Sequence, residues 1–171
     1  MAGCVACGRS YPFCIIQIFL TAEDDGVILE KNVAAFRSCV DQQAQAILDF
    51  EPDAVLASSF GGLVCLDLLE WTPGEDPRCT VLIAAANDSS VSAGCLPKDK
   101  KKYALPSPHG PVVLIHGSED TIISPKSSRE LAAGASNPSR LLLVELKDDY
   151  GYWEFLEPML EPRSAREQQS Q

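Results

Sequence analysis

The sequence predicts an α/β domain, a three-layer sandwich built on a mostly parallel sheet of about five strands. Two patterns predict it. Short, continuous apolar runs rich in Val, Ile and Leu recur along the 171 residues, and longer segments with apolar positions three and four apart separate them. Strands that are apolar throughout need cover on both faces, which flanking helices supply to a parallel sheet. Length is the third observation: 171 residues bury one substantial core and are few for two. Residues 15–162 read as that domain, after an irregular segment over 1–14 and before a polar tail over 163–171.

The elements follow in order. Ile15 to Leu20 is β-branched and aromatic, the first strand, and Ala22 to Gly26 turns the chain. Val33, Phe36, Val40, Ala44 and Ile47 mark one face of an amphipathic helix between Glu30 and Phe50, which Pro52 ends. Ala54 to Ser58 is the second strand, and Gly61 to Glu70 is a helix apolar on most sides, hence deeply buried. After a Pro- and Gly-containing turn, Cys79 to Ala86 is the third strand. Asn87 to Gly110 carries Ser, Pro, Gly and Lys without sustained periodicity, a long connection for one domain. Pro111 to His116 is the fourth strand, Pro125 to Ala135 a helix, Leu141 to Leu146 the fifth strand and Trp153 to Leu160 a short final helix.

Charge and cysteine usage narrow the function classes. With 24 acidic and 14 basic residues the net charge is −10, which repels nucleic acid and anionic membrane. The basic cluster Lys98, Lys100, Lys101 and Lys102 lacks aromatics that could stack on bases, so it reads as a solvated loop. No apolar stretch reaches the roughly 20 residues that span a bilayer, and no secretory signal pattern opens the chain. Seven cysteines, several of them in core segments (Cys39, Cys65, Cys79), fit a reducing compartment, the cytoplasm. Cys4 and Cys7 make half of a zinc spacing with no second pair, so no metal and no cofactor is expected.

In a parallel sheet, functional groups gather where strands end at their carboxyl side. That rule singles out Ser59, Asn87, the segment His116 to Asp120, and Asp148 to Tyr150. Ser59 is the most informative. The apolar run Ala54-Val55-Leu56-Ala57 stops at Ser58-Ser59, with small Ala57 and Gly61 two places either side. A serine on a sharp strand-to-helix turn needs such neighbours, and the N–H of Phe60 then lies at the positive end of the new helix, where an oxyanion would be stabilised. The same string also serves as a plain strand-to-helix link.

Three segments together resemble the α/β-hydrolase family, in particular its small esterase-like members. They are the Ser-Ser-Phe-Gly-Gly elbow within Ala57 to Gly62, the segment His116-Gly117-Ser118-Glu119-Asp120 running on to Ile123 and Pro125, and the short strand followed by Asp148-Asp149. The resemblance covers about Ile15 to Leu160 and implies a reduced α/β-hydrolase fold. It implies Ser59 as nucleophile, Asp120 as the acid that orients a histidine, Phe60 N–H as an oxyanion donor, and a small ester or acyl ligand.

The chain departs from that family in two places. Tyr150 stands where the family's histidine follows the last strand. Tyrosine, with a reference pKa near 10, is a poor proton acceptor at neutrality beside imidazole near 6.5. His109 and His116, the other imidazoles, precede the expected acid. The family's opening strand with its His-Gly turn, source of the second oxyanion donor, is also missing before Ile15, so the chain reads as the family shortened at its amino end. Two readings follow: a serine hydrolase with an impaired triad, or a hydrolase-derived protein whose pocket binds a ligand or partner without turnover. An unpaired sheet edge near Ile15 to Leu20 would invite a second chain.

Overall fold

A computed structural model describes residues 13–16, 28–71, 79–87, 102–106 and 109–147. The strands are β1 (Phe13–Ile16), β2 (Ala54–Ser58), β3 (Cys79–Ile83), β4 (Val112–Gly117) and β5 (Leu141–Leu146), and the helices are α1 (Ile28–Phe50), α2 (Phe60–Trp71) and α3 (Lys126–Ala133). A single 3-10 turn over Pro138–Arg140 leads into β5. The five strands form one parallel sheet in the order β1-β2-β3-β4-β5.

Sequential order and parallel strands together mean that every crossover advances one position in the same direction. Right-handed crossovers then carry the connecting helices to one face of the sheet. The buried side chains agree. Phe36 and Val40 of α1, Leu63, Val64 and Leu66 of α2 and Leu131 of α3 share one core with Val55, Ala57, Leu82 and Leu114. The alternate sheet residues point away from these helices, where Ile83, Ala84, Ala86, Ile115 and Ile123 are buried beside the partly buried Leu56, Val81, Val113 and Val144. The described helices thus form one layer of the expected sandwich. The final helix expected at Trp153 to Leu160 lies outside the described residues.

Two strand boundaries differ from those expected by two residues or more. The first strand starts earlier than Ile15, because Phe13 pairs with Ala54 and Cys14 with Val55. The third strand stops at Ile83 and not at Ala86, because Ala84 takes a left-handed φ of 42° that breaks the ladder. The long first helix ends on Glu51, also left-handed at φ 44°, whose N–H closes on Ile47 O at 3.0 Å before Pro52. No described helix is long and apolar enough to cross a membrane.

Candidate active site

Ser59 occupies the single residue between β2 and α2, at φ 54°. A left-handed non-glycine residue costs roughly 1–3 kcal/mol and persists only where its surroundings over-determine it. Three backbone hydrogen bonds do so. Ser59 N–H donates to Ile83 O at 2.9 Å, and Ser59 O accepts from Gly62 N–H at 3.0 Å and from Ala86 N–H at 2.9 Å. The required small residue is Gly62: a Cβ there would stand 2.6 Å from Ala85 Cβ and 2.8 Å from Ala85 Cα. Behind the turn, the Phe60 ring is buried edge-on against Phe36, with centroids 5.8 Å apart. Phe60 N–H is the first N–H of α2, at the positive end of the helix dipole.

Asp120 lies beyond the carboxyl end of β4, two strands from β2 and therefore roughly 10 Å across the sheet. Its buried carboxylate is held from one side: Oδ1 accepts the N–H groups of Ile122 at 2.8 Å and Ile123 at 2.9 Å. Its Oδ2 lies 3.5 Å from His116 Nε2. Ser59 and Asp120 therefore share the carboxyl edge of the sheet, as expected from the sequence.

Neither histidine of this chain serves Ser59. His116 is fully buried, with Nε2 on Ile123 O at 2.8 Å and Nδ1 on the Ser128 hydroxyl at 2.6 Å. A carbonyl only accepts, so Nε2 carries the proton, and in the neutral ring Nδ1 accepts from Ser128. Ser128, His116 and Asp120 thus line up like a catalytic triad, yet burial of all three denies a substrate access, and the set acts as a brace between β4 and α3. His109 precedes β4, at the amino edge of the sheet, a strand's length (on the order of 20 Å) from the Ser59 edge. Its Nδ1 donates to Gly110 O at 2.7 Å, while its buried Nε2 has no partner among the described residues. Tyr150 and Asp148-Asp149 lie outside the described residues.

No protein-family model and no curated protein matches the chain in sequence. Solved structures do match it in shape. A monoacylglycerol lipase from Paleococcus ferrophilus superposes with a TM-score of 0.51 at 14% identity, over 73% of either chain. A 2-hydroxy-6-oxo-6-phenylhexa-2,4-dienoate hydrolase from a Rhodococcus species gives 0.51 at 16% identity, over 75% of this chain and 70% of its own. The fold is α/β-hydrolase-like. An α/β-hydrolase enzyme from a sediment metagenome of the lagoon of Mar Chica, Morocco, adds a third case, with a TM-score of 0.50 at 15% identity over 77% of this chain and 71% of that one.

Within this hydrolase-like fold, the sequence reading missed a buried polar network beside the Ser59 turn. Asp67 of α2, 2% exposed, accepts the Tyr103 hydroxyl on Oδ1 at 2.5 Å and Arg37 of α1 on Oδ2 at 3.1 Å. Asn87 grips the Tyr103 main chain with both arms of its amide, Nδ2 donating to Tyr103 O at 2.9 Å and Oδ1 accepting Tyr103 N–H at 2.8 Å. Burial and the Asp67 hydrogen bond push the Tyr103 phenol far above its ordinary range. The available signal was Asp67 itself, an acid within the apolar run Leu63 to Leu69. Near this network, a cavity of about 190 Å³ opens between Asn87, Tyr103, Ser127, Glu130 and Leu131. Neither Ser59 nor Asp120 lines it. At its wall Lys102, expected to be solvated, is exposed but bridges Glu130 at 2.7 Å, which holds that carboxyl below its usual range.

Proposed function

We propose that the chain is a serine-dependent acyl hydrolase of the esterase class that reacts through Ser59 and turns over slowly. The observation that carries this reading is the left-handed Ser59 between β2 and α2, held by backbone hydrogen bonds to Ile83, Gly62 and Ala86. A strained serine at a strand-to-helix turn exposes its hydroxyl and directs the first N–H groups of the helix at the same point. Ser59 Oγ attacks the acyl carbon of a small ester, its proton passes through the base to the departing alcohol, Phe60 N–H stabilises the oxyanion, and water then cleaves the acyl-enzyme to release the acid and restore Ser59. Asp120, with Oδ1 fixed by two backbone N–H groups, is the acid of the triad. Tyr150 takes the base position. The same reading assigns the protein to the cytoplasm, with Cys39, Cys65 and Cys79 as free thiols.

Slow turnover follows from the base. At pH 7 only about one tyrosine in a thousand is ionised at its reference pKa, so proton transfer from Ser59 is the weak step. The test combines a fluorophosphonate label and p-nitrophenyl acetate on the wild type, Ser59→Ala and Tyr150→His. The wild type should label at Ser59 and hydrolyse the ester at a rate that climbs with pH toward about 10, while Tyr150→His should run faster and level off above about pH 7. Ser59→Ala should do neither. Labelling that persists in Ser59→Ala, or a wild type inert to both probes across this pH range, overturns the reading.

The second reading, a hydrolase-fold binding protein without turnover, is favoured by one observation. Both imidazoles of the chain are committed elsewhere, His116 to Ile123 and Ser128 and His109 to Gly110 at the far edge. A ligand bound without hydrolysis, together with an inert wild type, would select it.

A further inference from the structure

The Ser59 turn is closed into a ring of contacts through Ala86, Asn87, Tyr103 and Asp67. Ser59 O holds Ala86 N–H, and the next residue, Asn87, holds the Tyr103 main chain at both N and O. Tyr103 in turn reaches Asp67 on α2 through its hydroxyl, and α2 starts at Phe60, beside Ser59. Segment 84–87 is therefore gripped from two sides. On one side Gly62 admits Ala85 into the first turn of α2; on the other, Tyr103 ties Asn87 to the middle of the same helix. The ring is buried at Tyr103, Asn87 and Asp67, so each hydrogen bond there is costly to lose.

We propose that Tyr103 and Asn87 are positioning residues for Ser59: the Tyr103–Asn87 clamp, anchored on Asp67, holds the Ala86 N–H against the Ser59 carbonyl and so keeps the serine left-handed. The proposal rests on the reading of Ser59 as the nucleophile for its chemical consequence, but its geometric part stands apart from that reading. Tyr103→Phe removes the hydroxyl and leaves the ring in the core. Losing a hydrogen bond to a carboxylate at this buried point should release the clamp by roughly 10- to 100-fold.

The experiment follows amide hydrogen exchange by NMR in the full chain, alongside the fluorophosphonate labelling rate of Ser59. In Tyr103→Phe, exchange at Ser59 and Ala86 should quicken by that factor while Leu114, deep in β4, changes little, and the labelling rate should drop by a similar factor. Uniform acceleration at Leu114, Ser59 and Ala86 alike overturns the proposal, since Tyr103 would then only add global stability. Local opening with an unchanged labelling rate overturns it too. If the variant does not fold, the unaltered chain decides: in low urea the Ser59, Ala86 and Tyr103 amides should exchange through one shared opening, and Ala86 exchanging well ahead of Tyr103 overturns the clamp. Local opening in Tyr103→Phe with neither protein labelled leaves the clamp supported and removes the nucleophile reading alone.

Discussion

At Gly62 and Tyr103, single side-chain groups set the geometry around Ser59. A methyl group at position 62 meets both Cβ and Cα of Ala85 closer than atoms tolerate, and the Cα is backbone that cannot swing aside. Gly62→Ala should therefore cost about 1–3 kcal/mol in urea denaturation, with fluorophosphonate labelling of Ser59 suppressed. Gly134→Ala is the control: its φ is −85° and its nearest neighbour, Glu130 O, lies at 3.4 Å, so the change should be neutral or stabilise by up to about 1 kcal/mol. Tyr103 should contribute to the alkaline limit of stability. Its phenol is raised in the folded state, by burial first and by Asp67 next, so the unfolded chain loses that proton earlier. Its contribution is full below about pH 10 and falls as pH rises further, by at most about 1.4 kcal/mol per unit. The wild-type urea midpoint should drop between about pH 9 and pH 11 by more than that of Tyr103→Phe. An equal drop in both would locate the alkaline sensitivity elsewhere.

The turn after β4 depends on a carboxylate whose two jobs can be separated. Asp120→Ala removes the acceptor of two N–H groups, the part-buried Ile122 and the buried Ile123, and should cost about 1–3 kcal/mol. Asp120→Asn keeps a carbonyl oxygen for them and should retain most of the stability, while the lost charge lowers Ser59 reactivity if Asp120 acts as the triad acid. Equal loss of stability in both variants, measured by urea denaturation, would mean that charge and not the acceptor holds the turn. Elements of this kind were legible in sequence where their cause is local. The apolar runs of β2 and β5 gave strands at the expected bounds, Pro52 closed α1, and the Ala57-to-Gly62 string placed a serine between strand and helix. What escaped depends on distant partners. Tyr103 and Asp67 are 36 positions apart, Asn87 and Tyr103 16 apart, and no periodicity encodes such pairs. His116 lies at a strand end in the sequence, but its full burial and its Ser128 partner, twelve residues on, carry no local signal.

For the whole molecule, sequential strand order makes one helical layer the common lid on one face of the sheet, so the layer and the sheet should unfold together. Three thiols sample it: Cys39 in α1, Cys65 in α2 and Cys79 at the start of β3. Cys39 and Cys65 belong to the same core as Leu82 and Leu114. Burial also pushes the Cys39 and Cys79 thiols above their usual range, which lowers the reactive thiolate fraction while the chain is folded. Alkylation by iodoacetamide, mapped by mass spectrometry across a urea series at pH 8, should leave the two core thiols protected in the native state. All three should then open at one shared midpoint, the behaviour of a single cooperative core. Earlier opening of Cys39 would show α1 detaching from an intact sheet. The 3.1 Å Arg37–Asp67 bridge between α1 and α2 would then be too weak to couple them, consistent with a half-exposed arginine whose attraction solvent screens. A common midpoint that shifts downward for Cys39 alone in Arg37→Ala would instead identify that bridge as the tie between the first helix and the rest of the layer.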